Sequence, residues 1–318
     1  MGELEYHEDM PAERVAPHRR SPAAQWEALA QGWDLSLAAG NKAPRTRQSY
    51  LESLQRLRQY LEDRTRPLDV SKVTRRDLEG WVADLLERWS PATASVRYRA
   101  MQTYFKWLVN EGEVERSPME GMPPPHVPEV PVPILQMDDL RRLLATCAGR
   151  TYEDRRDQAL LRCLIDTGLR LSELAGLKVS DIDWDLRVLG VLGKGRRPRA
   201  VPFGNKTGLA LNRYLRARDE HPAADKDSLW LGHAGPMTDR GVAKIVERRA
   251  GEAGLTGVHP HRFRHTFAHE WLSAAGNEGD LMQLTGWRSR SMLQRYASSA
   301  AAERAREAYQ RLALGDRL

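Results

Sequence analysis

Residues 260–296 read PHRFRHTFAHEWLSAAGNEGDLMQLTGWRSRSMLQRY, and the rest of the chain is organised around them. The stretch opens with His261 and Arg264, three residues apart and so on one face of a helix. Phe267, Trp271 and Leu272 continue it as an apolar helical run. Gly276-Asn277 breaks that run, a second turn of chain is led by Gly286-Trp287, and Tyr296 closes the stretch on what reads as a short helix. A tyrosine hydroxyl, a histidine, an arginine and an indole N–H gathered in this way suit one task, attack on a phosphate.

Composition sets the bounds. A chain of 318 residues, 41% of them hydrophobic, is long enough for two domains with real cores. The formal charge of +6 is compatible with a polyanionic partner. Arginine outnumbers lysine 41 to 8, a bias that codon usage in a GC-rich genome also produces. Cys147 and Cys163, the two cysteines, sit in helical patterns and read as small core residues, with neither a disulfide framework nor a metal cage. No apolar run approaches the ~18 residues of a membrane span, and the polar, acidic start is no leader, so the expected location is the cytoplasm with no membrane partner.

Residues 1–21 lack periodicity and read as a disordered lead-in. Ser21-Pro22 then opens a helix through Trp26, Leu29, Trp33 and Leu37. A second helix runs from Thr46, Thr74 caps a third, and a fourth spans Ser90 to Asn110, so residues 22–116 form a small all-α domain. The fourth helix has no acidic residue; Arg97, Arg99 and Lys106 alternate with Tyr98, Tyr104, Phe105 and Trp107. Two readings fit it: a core helix with a basic exposed face, or a helix laid on phosphate backbone with Arg45 and Arg47 as further contacts. The aromatics read as core in either case.

Seven prolines between residues 118 and 133 make 117–133 an extended linker. Helices from Met137 or Asp138 and from Tyr152 to Asp166 open a second domain, 134–300. After the break at Gly168, Arg170 and Glu173 face one side of a new helix, either as a surface ion pair or as a partly buried one needing acceptors. Arg187–Leu192 and Arg199–Phe203 read as two strands joined at Gly193-Lys194-Gly195. Lysine at that tip, in an arginine-rich chain, is either a solvated turn residue or a proton donor, which arginine cannot be. Arg196 and Arg197 follow it as further DNA-contact candidates. Helices follow at Leu209–Leu215 and after Thr238, and 301–318 read as a tail helix. The fold class is thus mainly α with a small antiparallel sheet.

Thr167-Gly-Leu-Arg-Leu-Ser-Glu-Leu174, Gly193-Lys-Gly195, His261-Arg-Phe-Arg-His-Thr266, Gly286-Trp287 and Tyr296 occur in an order that resembles the tyrosine recombinase family, the phage integrases and Xer-type recombinases. The resemblance covers roughly residues 23–300. It implies an N-terminal helical core-binding (SAM-like) domain and an α+β catalytic domain. It also implies a site-specific DNA recombinase working through a 3′-phosphotyrosyl intermediate. Tyr296 would be the nucleophile, and Arg170 and Arg264 would grip the non-bridging oxygens. Lys194 would protonate the leaving 5′-oxygen, His261 would accept the tyrosine proton or hold phosphate, and Glu173 would orient the arginine and histidine. No cofactor or metal is implied, since arginines and lysine supply the charge. The implied partners are a double-stranded recombination site, three further copies of the chain and an accessory directionality factor.

At Trp287 many members carry histidine; an indole N–H donates but accepts no proton. The residues Gly286–Tyr296 look most like mobile-element integrases, and 1–22 are too short for the arm-binding domain of some integrases. Xer-like dimer resolution, type IB topoisomerase-like relaxation and DNA binding without cleavage remain the alternatives.

Overall fold

The computed structural model describes residues 21–128, 133–193 and 197–290, together with Leu293, Arg306, 309–310 and 313–317. These fall into two compact units that part after Pro128.

The first unit is a helical bundle. Helix α1 (Pro22–Ala39) starts on the Ser21 hydroxyl, which accepts the Ala24 N–H at 3.3 Å, and buries Trp26, Leu29, Trp33 and Leu37 at helical spacing. Helix α2 (Pro44–Asp63) starts two residues before the expected Thr46, because Pro44 fits the first turn, where no N–H is needed. Helices α3 (Arg75–Arg88) and α4 (Pro91–Asn110) begin where Thr74 and Ser90 predict. Tyr98, Tyr104 and Phe105 of α4 are in the core with Trp26, Trp33 and Trp81, so the interleaved aromatics pack rather than stack on bases. Met119 and Met122 join the same core, and the Tyr98 hydroxyl donates to the Met122 carbonyl. The chain after α4 therefore runs along this bundle through Met122.

At the start of α3, Asp77 Oδ2 accepts the Thr74 N–H at 2.9 Å while the Thr74 hydroxyl accepts the Asp77 N–H at 3.3 Å, a reciprocal cap. Thr74→Ala is expected to lower the unfolding free energy by about 1 kcal/mol, seen as an earlier urea midpoint with unchanged slope.

In the second unit, α5 (Met137–Ala145) and α6 (Tyr152–Thr167) lead to the short α7 (Leu171–Ala175). Strands β1 (Ile182–Asp183), β2 (Val188–Leu192) and β3 (Pro198–Pro202) form an antiparallel sheet in that order, with Leu189 opposite Val201 and Val191 opposite Arg199. Then come α8 (Asn205–Arg218), a second two-stranded ladder of β4 (Leu231–Gly232) and β5 (Gly235–Pro236), α9 (Asp239–Glu252), α10 (Pro260–Ser273) and α11 (Glu278–Thr285). Helix α6 is central, lying against α8 and α10, and its Leu160, Leu161 and Leu164 are fully buried.

Three polar anchors hold this core. The Trp230 indole donates to the Leu174 carbonyl at 2.7 Å. Arg218 donates to the carbonyls of Ala224, Lys226 and Ser228, closing the loop that follows α8. Asp157, fully buried, pairs with Arg156, Arg248 and Arg249, a burial that only multiple charged partners make tolerable. Cys147 and Cys163 are buried thiols, both pushed up by burial.

Further elements differ from the sequence reading: β1 adds a third strand to the sheet where two were expected. Residues 278–285, to which the sequence reading gave no element between the Gly276-Asn277 break and Gly286-Trp287, form the full helix α11, started by the Asn277 side chain. The β4–β5 ladder is two residues per strand, too short to leave a periodic signal. Among the described residues no helix is long and apolar enough to cross a membrane. Of the expected tail helix, 301–318, Arg306, Tyr309 and Gln310 are helical, Leu314–Arg317 form a 3-10 turn instead, and the rest apart from Ala313 lies outside the described residues.

Candidate active site

Helix α6 ends at Gly168, whose φ of +58° turns the chain sharply into Leu169 and Arg170. Arg170 is the residue before α7 rather than part of its first turn, a correction to the sequence reading. Its backbone N–H is accepted by Glu173 Oε2 at 2.9 Å, and its Nη1 donates to Glu173 Oε1 at 2.7 Å. Backbone and side chain of Arg170 are thus fixed by one carboxylate.

That carboxylate has a second partner. Arg199 of β3 donates through Nη1 to Glu173 Oε1 at 2.9 Å and through Nη2 to Oε2 at 2.7 Å, the fork geometry that matches a carboxylate. The Glu173 side chain is 4% exposed. Burial pushes its carboxyl up, but the hydrogen bonds from Arg199 and Arg170 prevail and hold it below the usual range. Glu173 was expected to orient the histidine as well; its oxygens go to the two arginines instead, and the ring beside His261 is that of His265, edge-on at 4.4 Å.

Arg264, on α10, is 1% exposed. Its Nη1 donates to the Gly168 carbonyl at 2.9 Å and its Nη2 to the Thr285 carbonyl at 2.6 Å, and its guanidinium lies 5.1 Å from the centre of the Trp287 ring. Arg199 Nε donates to the Leu284 carbonyl at 2.9 Å, and Arg170 Nη2 reaches the Gly286 carbonyl at 3.5 Å, a long contact. Three consecutive carbonyls at the end of α11 therefore face three different guanidiniums. A helix end leaves its last carbonyls without intrahelical donors and carries partial negative charge, so it suits three cations. Gly286 closes α11 at φ +67°, and a Cβ there would lie 3.4 Å from Arg199 Nη1 and 3.6 Å from Arg170 Nη1.

Trp287 is buried with Ala268, Leu272, Leu281 and Leu293. His261 is exposed over its surface as a residue, yet its imidazole is pushed below the ordinary value by partial burial of the ring and by the charges of Arg264, His259 and Arg170. All these causes act in the same direction.

Arg170, Glu173, Arg264 and Trp287 are thus joined in one network. Lys194, Arg196 and Tyr296 lie outside the described residues. Gly193, at the base of the hairpin, donates its N–H to the Arg197 carbonyl at 2.8 Å, and Arg197 itself is exposed. In the first unit Arg45, Arg99 and Lys106 are exposed. Arg47 instead forms a two-point pair with Asp34, and Arg97 lies against the Trp89 ring at 4.7 Å, with Arg56 at 4.5 Å from the same ring. Among the described residues no group of three or more His, Cys, Asp or Glu could hold a metal ion.

Sequence reasoning missed Arg199. A signal exists: in P-R-A-V-P the period of two puts Arg199 on the face of the buried Val201, and an inward arginine needs an acceptor.

Comparison with known proteins agrees with this architecture. Residues 133–303 match the phage integrase family, and residues 29–112 match the phage integrase N-terminal SAM-like domain. The tyrosine recombinase XerC of Oceanobacillus iheyensis is 32% identical over 250 residues, covering 76% of this chain and 81% of that protein. That of Myxococcus xanthus is 30% identical over 261 residues, covering 80% and 87%. Among solved structures, XerH bound to palindromic difH substrate in a post-cleavage complex has a TM-score of 0.72 at 18% identity, covering 90% of this chain and 84% of that one. The Tn1549 transposon integrase in complex with transposon right end DNA has a TM-score of 0.71 at 21% identity, covering 90% and 99%. At those identities the structural likeness is one of fold. With the family matched over more than half its length, the chain belongs to the phage integrase family of tyrosine recombinases, enzymes that cleave and rejoin DNA.

Proposed function

We propose that this enzyme is a site-specific recombinase that cleaves each strand through Tyr296 and acts as a tetramer on two duplexes. The observation that carries this reading is the joining of Arg170 and Arg264 at one helix end. Planar guanidiniums held in place before substrate arrives stabilise a charged pentacovalent phosphate without reorganising. The Tyr296 oxygen attacks phosphorus, the bond to the 5′-oxygen breaks, and a 3′-phosphotyrosyl bond forms, conserving the energy for rejoining. Lys194 gives a proton to the departing 5′-oxygen and His261 receives the tyrosine proton. Trp287, an indole, takes no proton and supports the site by packing on Arg264 and by donating its N–H. Arg45, Arg99 and Lys106, exposed on the helical unit, are the phosphate-backbone contacts favoured there, and the tail helix docks on a neighbouring subunit.

Integration and excision of a mobile element is the role we favour, on the likeness of Gly286–Tyr296 to such integrases. Dimer resolution is the second reading, supported by relatives named XerC. A plasmid carrying the DNA that flanks the gene separates them: release of a circle containing the gene supports the first, and recombination only between whole replicons supports the second.

The test of the chemistry is a nicked duplex whose cleaved end diffuses away. The expected product is a covalent protein–DNA adduct, with the DNA on the tryptic peptide that begins at Tyr296. No adduct, or an adduct elsewhere, overturns the proposal.

The pH dependence follows from His261. A depressed imidazole pKa keeps the ring neutral, and able to accept a proton, to lower pH than usual. Cleavage should therefore hold through neutrality and fall only as pH drops through the depressed value, with its midpoint below the ordinary 6.5. Single-turnover rates against pH check this, and His261→Gln should remove that limb.

A further inference from the structure

We infer that Arg199 is a positioning residue for strand cleavage, acting through Glu173 on Arg170. The inference rests on the reading of Arg170 and Arg264 as the phosphate-binding pair. Arg199 itself is nearly covered, its side chain 12% exposed, against 31% for Arg170. Its donors are spent on both oxygens of Glu173 and on the Leu284 carbonyl. It holds three things in register: the strand leaving the Gly193 hairpin, the carboxylate that fixes Arg170, and the end of α11 where Arg264 is anchored. A Cβ at Gly193 would lie 3.2 Å from Arg199 Nη1, so the hairpin base also closes on this guanidinium.

Charge decides why the fork matters. Glu173 is a buried anion beside the arginine meant for phosphate. Paired with Arg170 alone, it would neutralise that arginine and compete with the incoming anion. Shared with Arg199, the carboxylate is compensated by a second cation, and the cluster of three guanidiniums keeps an excess of two positive charges rather than one. Glu173 then orients Arg170 without cancelling it.

The experiment compares wild type, Arg199→Met, Glu173→Gln and the double variant on a nicked suicide duplex carrying the recombination site mapped for the wild-type enzyme. Arg199→Met should slow single-turnover cleavage at saturating DNA by about 100-fold, the scale of one lost electrostatic contact at a reacting centre. The DNA concentration for half-saturation should change by less than about threefold, because most backbone contacts lie elsewhere. In the double variant the unpaired anion is gone, so cleavage should recover at least about tenfold over Arg199→Met.

The pH profile gives an independent readout. Without Arg199 the Glu173 carboxyl titrates higher, so the deficit of Arg199→Met should shrink as pH falls and Glu173 takes up a proton. A double variant no faster than Arg199→Met, a deficit constant with pH, or a single variant within about threefold of wild type overturns the inference. If Arg199→Met does not fold by circular dichroism, Arg199→Lys decides. It keeps the charge without the fork, and should cleave about tenfold slower; a wild-type rate and pH profile would refute the assignment. A wild-type enzyme that forms no adduct defeats the reading of the whole site, and this inference with it.

Discussion

Arg264→Met is expected to reduce strand cleavage by at least about 10³-fold and to cost the fold about 2–6 kcal/mol, from two carbonyls at about 1–3 kcal/mol each. The two effects share an origin. The guanidinium is 1% exposed and joins the Gly168 carbonyl, at the end of α6, to the Thr285 carbonyl, at the end of α11. Both residues are buried, so neither carbonyl gains water when the arginine goes. Methionine fills part of the volume over the Trp287 ring but offers no donor. Arg264→Lys tests which property matters. An ammonium reaches one carbonyl or the other, not both in one plane, so it should recover part of the stability and little of the rate. Urea unfolding and single-turnover cleavage measured on the same samples check the split. A methionine variant that cleaves normally would remove Arg264 from the site.

The same geometry explains what the sequence could reveal. Helix starts were legible because they are local: Ser21-Pro22, Thr74 and Ser90-Pro91 each cap within three residues. Arg170, Glu173 and Arg264 were legible through motifs, since Gly168 marks the turn ahead of the first two and Pro260 the first turn of the helix bearing the third. The helix end that gathers them was not. EGDLMQLT spans barely two turns, and its three apolar residues set no period. Its role lies in carbonyls, which carry no residue-type signal. Arg199 was hidden for a related reason: its partners, Glu173 and Leu284, are 26 and 85 residues away, and alternation in a five-residue strand reports facing, not what is faced. Arg47 and Arg97 are candidate phosphate contacts on charge alone, one of two readings; in the structure Asp34 and Trp89 engage them within the helical unit. Local chemistry is written in the sequence; the acceptor brought up by the fold is not.

Gly168→Ala should destabilise the second unit by about 2–5 kcal/mol, combining about 1–2 for a left-handed backbone at a residue with a Cβ and about 1–3 for overpacking. The backbone contribution follows from φ +58°. The packing contribution follows from Phe267, whose Cδ1 would lie 2.6 Å and Cγ 2.8 Å from the new methyl group, distances at which something must move. Two companion variants separate the parts. Gly168→Asn keeps a residue that tolerates the left-handed region, so it should recover the backbone share while still meeting the ring. Phe267→Ala combined with Gly168→Ala should relieve the clash while leaving the backbone strain. Cleavage should fall further than stability alone dictates. The Gly168 carbonyl anchors Arg264, and Arg170 follows two residues later, so a shift of this turn misplaces both guanidiniums at once. A displacement of about 1 Å at a reacting centre is enough to cost about 10²-fold. Cleavage measured well below the variant's melting temperature tests this, and a folded Gly168→Ala enzyme with wild-type turnover would show that the turn holds the fold without setting the arginines.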